Sequence, residues 1–176
     1  MLHGEGVRSM AYGEGSIMAS VKGLGDGTVI VLNSGGIRST TLVSILALKK
    51  YDVQSVHIRE NHSKSNAAYI VAKAYDFKTW EYPATRLGQT EKLRLVADHY
   101  SEFFKTNTVV TASKYQIPGS YIQAPFASIS TLDLVIQAID IGAPIHKSWV
   151  CYEDTVCGSC QACSDLDYVQ SQLNAK

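Results

Sequence analysis

No apolar run in this chain is long enough to cross a bilayer, which excludes a helical membrane span within these residues. The first residues lack the compact basic–apolar–small pattern of a secretory signal, so a cytoplasmic protein is the expectation. Neither sign of charge is in excess: Lys and Arg total 16, as do Asp and Glu. There is then no global field to gather a polyanion, and direct nucleic-acid binding is not expected, although a small basic pocket is compatible with the balance. The chain has no Gly-x-Gly-x-x-Gly and no Gly-x-x-x-x-Gly-Lys-Ser/Thr, so the dinucleotide fingerprint and the Walker-type phosphate loop are both missing. No internal repeat and no low-complexity linker occurs. Cysteine is absent until position 151.

What is present suits a folded α/β domain. With 45% hydrophobic and 18% charged residues over 176 positions, the chain can bury a core as one domain, or one domain with a small appendage. Residues 1–27 are broken by glycines and read as a flexible or loosely packed leader, with one short strand near 16–21. From residue 28 the pattern alternates. Strands are expected over 28–32, 53–58, 77–82 and 107–112, and helices over 39–50, 65–75, 91–104 and 130–141. The expected buried stripes are Ala68, Ile70, Val71 and Ala74 in the second helix, and Leu93, Leu95, Val96, Tyr100, Phe103 and Phe104 in the third. Leu132, Leu134, Val135, Ala138 and Ile139 form the stripe of the fourth. Alternation of this kind predicts a three-layer open parallel sheet with right-handed crossovers. The domain plan is a flexible leader (1–27), an α/β domain (28–147) in which the features described next point to nucleotide binding, and a tail (148–176) whose cysteines, below, point to zinc.

The stretch from Val29 to Thr41 organises the rest. Val29 to Leu32 form a β-branched apolar run suited to a strand covered on both faces. Ser34, Gly35 and Gly36 allow a sharp turn, and Ser39, Thr40 and Thr41 bring hydroxyls to the start of a helix, where free backbone N–H groups favour an anion. A tight strand-to-helix turn with no ligand is the plain alternative. Its expected place, at the carboxyl end of a strand in an open α/β sheet, is where such folds bind ligands.

The second feature is the group Cys151, Cys157, Cys160 and Cys163, spaced Cys-x5-Cys-x2-Cys-x2-Cys. Four thiolates on a short loop suit tetrahedral zinc, which would stabilise a segment with little apolar area of its own. Two disulfides or free thiols, and an iron–sulfur cluster, are the other readings of this spacing. A closed set of four ligands argues against a catalytic metal, which keeps a position open.

The run Ser34-Gly35-Gly36-Ile37-Arg38-Ser39-Thr40-Thr41 resembles the Ser-Gly-Gly-x-Asp-Ser loop of the N-type ATP pyrophosphatase superfamily. Ser148-Trp149-Val150-Cys151-Tyr152 with Cys157-Gly158-Ser159-Cys160-Gln161-Ala162-Cys163 resembles one family within it, the 7-cyano-7-deazaguanine synthases of the queuosine pathway. Ala124-Pro125-Phe126 also resembles the segment before that family's zinc loop. The resemblance implies a Rossmann-like sheet of the adenine nucleotide alpha hydrolase type with a C-terminal zinc loop. It implies Zn²⁺ on the four cysteines, with ATP, and Mg²⁺ accompanying it, at Ser34, Gly35, Gly36, Ser39 and Thr40. It implies a homodimer. The implied reaction is adenylation of 7-carboxy-7-deazaguanine, displacement of AMP by ammonia, and a second ATP-driven dehydration of the amide to the nitrile.

The chain departs from the resemblance at several points. Arg38 stands where the loop carries Asp, so it is either an altered phosphate clamp or the loss of a Mg²⁺-linked carboxylate. Ser130-Thr131-Leu132 replaces a segment with a Lys, Leu166 replaces an Arg, and Arg59-Glu60-Asn61-His62 replaces a Tyr-Gly-Gln segment. A relative that keeps fold and zinc but only binds a deazapurine, a nucleotide or a protein partner is therefore the second reading. A tRNA sulfur-transfer enzyme of the same superfamily is a third. Arg38 and Lys114, the latter at the end of the fourth strand, are the candidates for the chemistry. His57 on the second strand faces either the site or solvent. Arg59, His62 and Lys64 are expected in an exposed loop, where they meet solvent or an anion. Tyr115, Tyr121 and Phe126 could stack on a base or pack a loop, and Trp149 and Tyr152 are expected to pack the metal loop against the domain. His146 is not expected to be a ligand.

Overall fold

A computed structural model describes residues 16–174 of the chain. Four strands form one parallel sheet: β1 (Val29–Leu32), β2 (Val53–Ile58), β3 (Lys78–Tyr82) and β4 (Val109–Thr111), in the order β3-β2-β1-β4. The register pairs Val31 with Ser55 on one side and with Val110 on the other, so β1 is central and fully buried. Its side chains alternate between two cores. Val29 and Val31 join the core formed with α1 (Ile17–Ser20), α2 (Ile37–Leu48), α3 (His62–Lys73) and α5 (Thr131–Asp140). Ile30 and Leu32 face the other core, built on α4 (Gln89–Phe104) through Leu93, Val96, Ala97 and Tyr100. The result is the expected three-layer parallel α/β architecture.

The topology explains the layers. From β1 to β2 to β3 the chain moves outward in one direction, with α2 and α3 on one face. It then returns past β1 to β4, and a right-handed crossover in the reverse direction must carry its helix on the opposite face, where α4 lies. The strand order thus reverses beside β1, and the loops after β1 and β4 splay apart at their carboxyl ends. A single 3-10 turn (Ile145–Lys147) follows α5, and α6 (Gln161–Asn174) closes the described chain.

Several expectations are corrected. The segment near 16–21 is a helix and not a strand: Ser16 caps α1 by accepting from the Met18 N–H, and the Ile17 N–H donates to Gln137 Oε1 on α5. Ile17, Val21 and Leu24 are buried in the core, so this end of the expected leader is packed; residues 1–15 lie outside the described residues. His62 and Lys64 belong to α3 and not to a loop, because the Asn61 side chain caps that helix at Lys64 N–H. The buried stripe of α3 is Ala67, Ala68, Val71 and Ala72, with Ile70 turned outward. Likewise Leu95 and Phe103 on α4 and Ile139 on α5 are exposed. These helices present narrower apolar faces than their composition suggests. Helix α6 carries too few periodic apolar residues to be announced by pattern.

Candidate functional site

The turn after β1 is built by its neighbours. Asn33 is buried, and its Oδ1 accepts from the Gly35 N–H at 3.0 Å while its Nδ2 donates to Ser55 Oγ and to the Ala68 carbonyl. Gly35 has φ +75°, and a Cβ there would collide with the backbone carbonyl of Lys64 and crowd Ala68 N. The close approach that demands this glycine is to α3. Gly36 then caps α2 with no side-chain hydrogen bond, leaving the first N–H groups of a 12-residue helix free of a side-chain cap. The Ser34 and Ser39 hydroxyls stand 2.9 Å apart, and Ser39 Oγ accepts from the Ser34 N–H.

Arg38 faces the opposite side of the turn from α3. Its Nε donates to the Ala112 carbonyl at 3.0 Å, one terminal nitrogen to Ile129 at 3.1 Å and the other to Phe126 at 2.5 Å. Burial lowers the guanidinium's affinity for its proton. Three of its five N–H groups are thereby committed to the loop that leads from β4 into α5.

At the end of β2, His57 is buried between the turn and α3. Its Nδ1 lies 2.8 Å from the Asn33 carbonyl, which can only accept, so Nδ1 carries a proton. Nε2 lies 2.9 Å from Ser65 Oγ, which also reaches the Asn61 carbonyl. Burial is the main influence on His57 and pushes its pKa below the usual value; the bond to Asn33 pulls the other way.

The tail folds back over this edge of the sheet. Trp149 N–H donates to the Gly35 carbonyl, and its indole donates to the Glu153 carbonyl. The Asn61 side chain donates to the Tyr152 carbonyl, and Lys64 lies 4.6 Å from the Tyr152 ring centre. Asp154 accepts from the Ser63 N–H in the first turn of α3, where the helix dipole favours a carboxylate. Trp149 and Tyr152 both fasten the cysteine loop to the domain.

The four cysteine sulfurs lie within 4.8 Å of one another. Cys151 Sγ stands 3.5 Å from Cys157 Sγ and 4.0 Å from Cys160 Sγ. Tetrahedral thiolate coordination at zinc–sulfur bonds of about 2.3 Å sets sulfur–sulfur separations of roughly 3.8 Å, so the donor set fits such an ion. Backbone N–H groups of Ser159 and Cys160 lower the Cys157 thiol to about 6, the state a ligand needs. Burial and the neighbouring thiols push Cys163 up to about 12. The group can hold a metal ion. His146 lies outside it, in the 3-10 turn.

Between the turn and the tail lies a cavity of about 500 Å³. Ser34, Gly36, Arg38 and Ser39 line it from one side, and Trp149, Tyr152, Gln161 and Asp165 from the other. Lys114 and Tyr115 enter from the end of β4, and His57 and Glu60 from the end of β2. Gly35 and Thr40 do not line it: Gly35 packs on α3, and Thr40 is fully buried with its hydroxyl 2.7 Å from Ser148 Oγ. Tyr121 bonds Asp98 and Ser101 on α4, and Phe126 is wholly inside the core, so neither faces the cavity. Sequence reasoning passed over Asn33, Gln161 and Asp165. Asn33 stands at the strand end just before the glycines, and Asp165 follows Cys163 by half a helical turn; these positions were the available signals.

Fold and site define a parallel α/β protein with its cavity at the topological switch and a four-thiol cluster whose chain neighbours Val150, Tyr152, Gln161 and Ala162 line that cavity. The family model of queuosine biosynthesis protein QueC matches residues 96–167, from within α4 through all four cysteines. A 7-cyano-7-deazaguanine synthase of Gloeothece citriformis is 41% identical over 107 residues, covering 58% of this chain and 40% of that protein. One from Halobacterium salinarum is 38% identical over 125 residues, covering 68% of this chain and 54% of its own length. One from Campylobacter curvus is 36% identical over 44 residues, or 24% of this chain and 20% of that protein. The chain belongs to the 7-cyano-7-deazaguanine synthase family. It spans about half the length of the curated relatives it matches.

Proposed function

We propose that this chain carries the site of an ATP-dependent synthase that turns a 7-deazaguanine carboxylate and ammonia into the nitrile through an acyl-adenylate. The observation that supports the reading is the shared cavity, walled on one side by the Ser34–Ser39 turn and on the other by the cysteine tail. Those two segments are distant in sequence, and a phosphate site and a substrate wall are what the reaction must bring together. In this reading the free N–H groups at the start of α2, with the Ser34 and Ser39 hydroxyls, take the pyrophosphate that leaves when the carboxylate attacks the α-phosphorus. Lys114 offers its ammonium to the substrate carboxylate or to phosphate. Arg38 holds the wall behind the phosphates through its three carbonyl contacts, and it supplies no oxygen for Mg²⁺. Cys151, Cys157, Cys160 and Cys163 would hold zinc with all four positions taken by thiolates, so the cysteine loop would shape the substrate wall and no water would be activated there. The protein works in the cytoplasm, as a homodimer, on small molecules and without a nucleic-acid or membrane partner.

The test is stoichiometric release of AMP and pyrophosphate by the zinc-loaded chain given ATP, ammonia and 7-carboxy-7-deazaguanine. Release dependent on all three supports the synthase. Binding of ATP or the deazapurine with no AMP released supports the second reading, a relative that keeps the scaffold as a binding protein. That reading draws on the same Arg38 geometry, since its guanidinium is spent largely on the protein's own backbone.

A further inference from the structure

Two charged side chains meet on the cavity wall. Lys114 reaches from the loop after β4, and its Nζ lies 2.7 Å from Asp165 Oδ2. The other carboxylate oxygen of Asp165 accepts from Gln161 Nε2, also at 2.7 Å. All three residues line the cavity. The hydrogen bonds from Lys114 and then Gln161 hold the Asp165 carboxyl below the usual carboxylate range. Asp165 stands two residues after Cys163 in α6, and Gln161 directly follows Cys160, so both are placed by the segment that carries the thiols.

We infer that Asp165 is the positioning residue for Lys114: the carboxylate on the thiol-anchored helix fixes where the ammonium stands in the cavity. A lysine has four rotatable side-chain bonds, and Lys114 is about half exposed, with side-chain accessibility of 48%. Without a partner its ammonium would sample solvent. Asp165 is itself held by Gln161, one turn earlier on α6, and α6 begins inside the cysteine cluster, so closing the cluster on a metal ion would also set the cation. A bound ion would therefore bear on the cavity through the Asp165 carboxylate. The inference deepens the proposed synthase reading and rests on Lys114 serving that cavity.

The full chain loaded with zinc is treated with a limiting amine-acylating reagent, and acylation at each lysine is read by peptide mass spectrometry, with exposed Lys105 as the internal reference. Asp165→Asn is expected to raise Lys114 acylation about two- to fivefold, the range that a half-exposed ion pair supports. Asp165→Glu returns it toward wild type. Stripping the metal with a chelator raises Lys114 acylation in the wild type by a similar factor and adds little in Asp165→Asn. Equal acylation of Lys114 in wild type and Asp165→Asn, or no response of the wild type to metal removal, overturns the inference. If Asp165→Asn does not bind metal, Gln161→Ala is expected to give a smaller rise in the same direction, and no rise overturns it. AMP release is measured in parallel, where Asp165→Asn lowers kcat with the KM for ATP unchanged. The expected acylation pattern in a protein that releases no AMP sinks the synthase reading alone. AMP release with flat acylation sinks the positioning role alone.

Discussion

Single residues at the turn carry sharp consequences. At Gly35 the positive φ and the collision with the Lys64 carbonyl act together, so Gly35→Ala is expected to cost about 2 kcal/mol or more in stability. Urea unfolding monitored by circular dichroism checks this. Arg38→Ala leaves the carbonyls of Ala112, Phe126 and Ile129 without their donor, a loss of about 2 kcal/mol by the same measurement, of which Arg38→Lys should recover a part. His57 contributes through protonation. Its pKa is lowered in the fold, so the unfolded chain binds the proton first as pH falls. Its contribution is full above about pH 6.5, the ordinary histidine value, and is lost progressively below it. Melting temperatures between pH 7.5 and 5 should fall more steeply for wild type than for His57→Gln. At this scale the sequence was legible where a residue's need is local. The glycines had to turn, and the thiols had to cluster. It was silent on the partners of Arg38, whose acceptors come from positions 112, 126 and 129, and on why Gly35 must be glycine, since α3 supplies the obstacle.

Among the elements, the cysteine tail depends most on something outside itself. Its loop residues Tyr152, Glu153, Asp154 and Val156 are exposed, and its polar hold on the domain is a handful of contacts to Gly35, Thr40, Asn61, Ser63 and Lys114. Metal removal is therefore expected to loosen residues 148–174 while the sheet survives. Limited proteolysis should cut the metal-free protein first between residues 151 and 160, with far-UV circular dichroism nearly unchanged. Elemental analysis should find one zinc per chain, and Cys157→Ser should lower that content. The strands and the helices that follow them were readable because buried parallel strands are β-branched runs and their helices are periodic. α1 was misread because four residues between glycines show no period. α6 escaped notice because its place is set by the cysteines and not by an apolar stripe.

At the scale of the molecule, the reversal of strand order beside β1 places every cavity-lining loop at one edge, and the tail roofs that edge. A ligand bound there touches both and should stabilise them together. ATP at a hundredfold excess over its dissociation constant is expected to add about 2.7 kcal/mol of stability, visible as a raised melting temperature. Ser39→Ala, which removes one hydroxyl from the turn, should reduce that rise. The architecture was foreseeable from alternation alone. The place of the cavity, at the carboxyl end of β1, was expected too; the residues of its far wall were not, because they come from a segment whose docking depends on backbone carbonyls that no sequence pattern marks.

The packing of Ile17, Val21 and Leu24 also has a consequence for synthesis. These side chains complete a core shared with α5, and the Ile17 N–H is satisfied by Gln137, a partner 120 positions later in the chain. During translation that segment leaves the ribosome long before Gln137 and α5 exist, and its contacts with β1 and α2 form before that partner is made. It can complete its packing only after α5 has emerged. The earliest of the described segments to be made is thus among the last to be fully packed, and folding of this layer is paced by the arrival of distant chain.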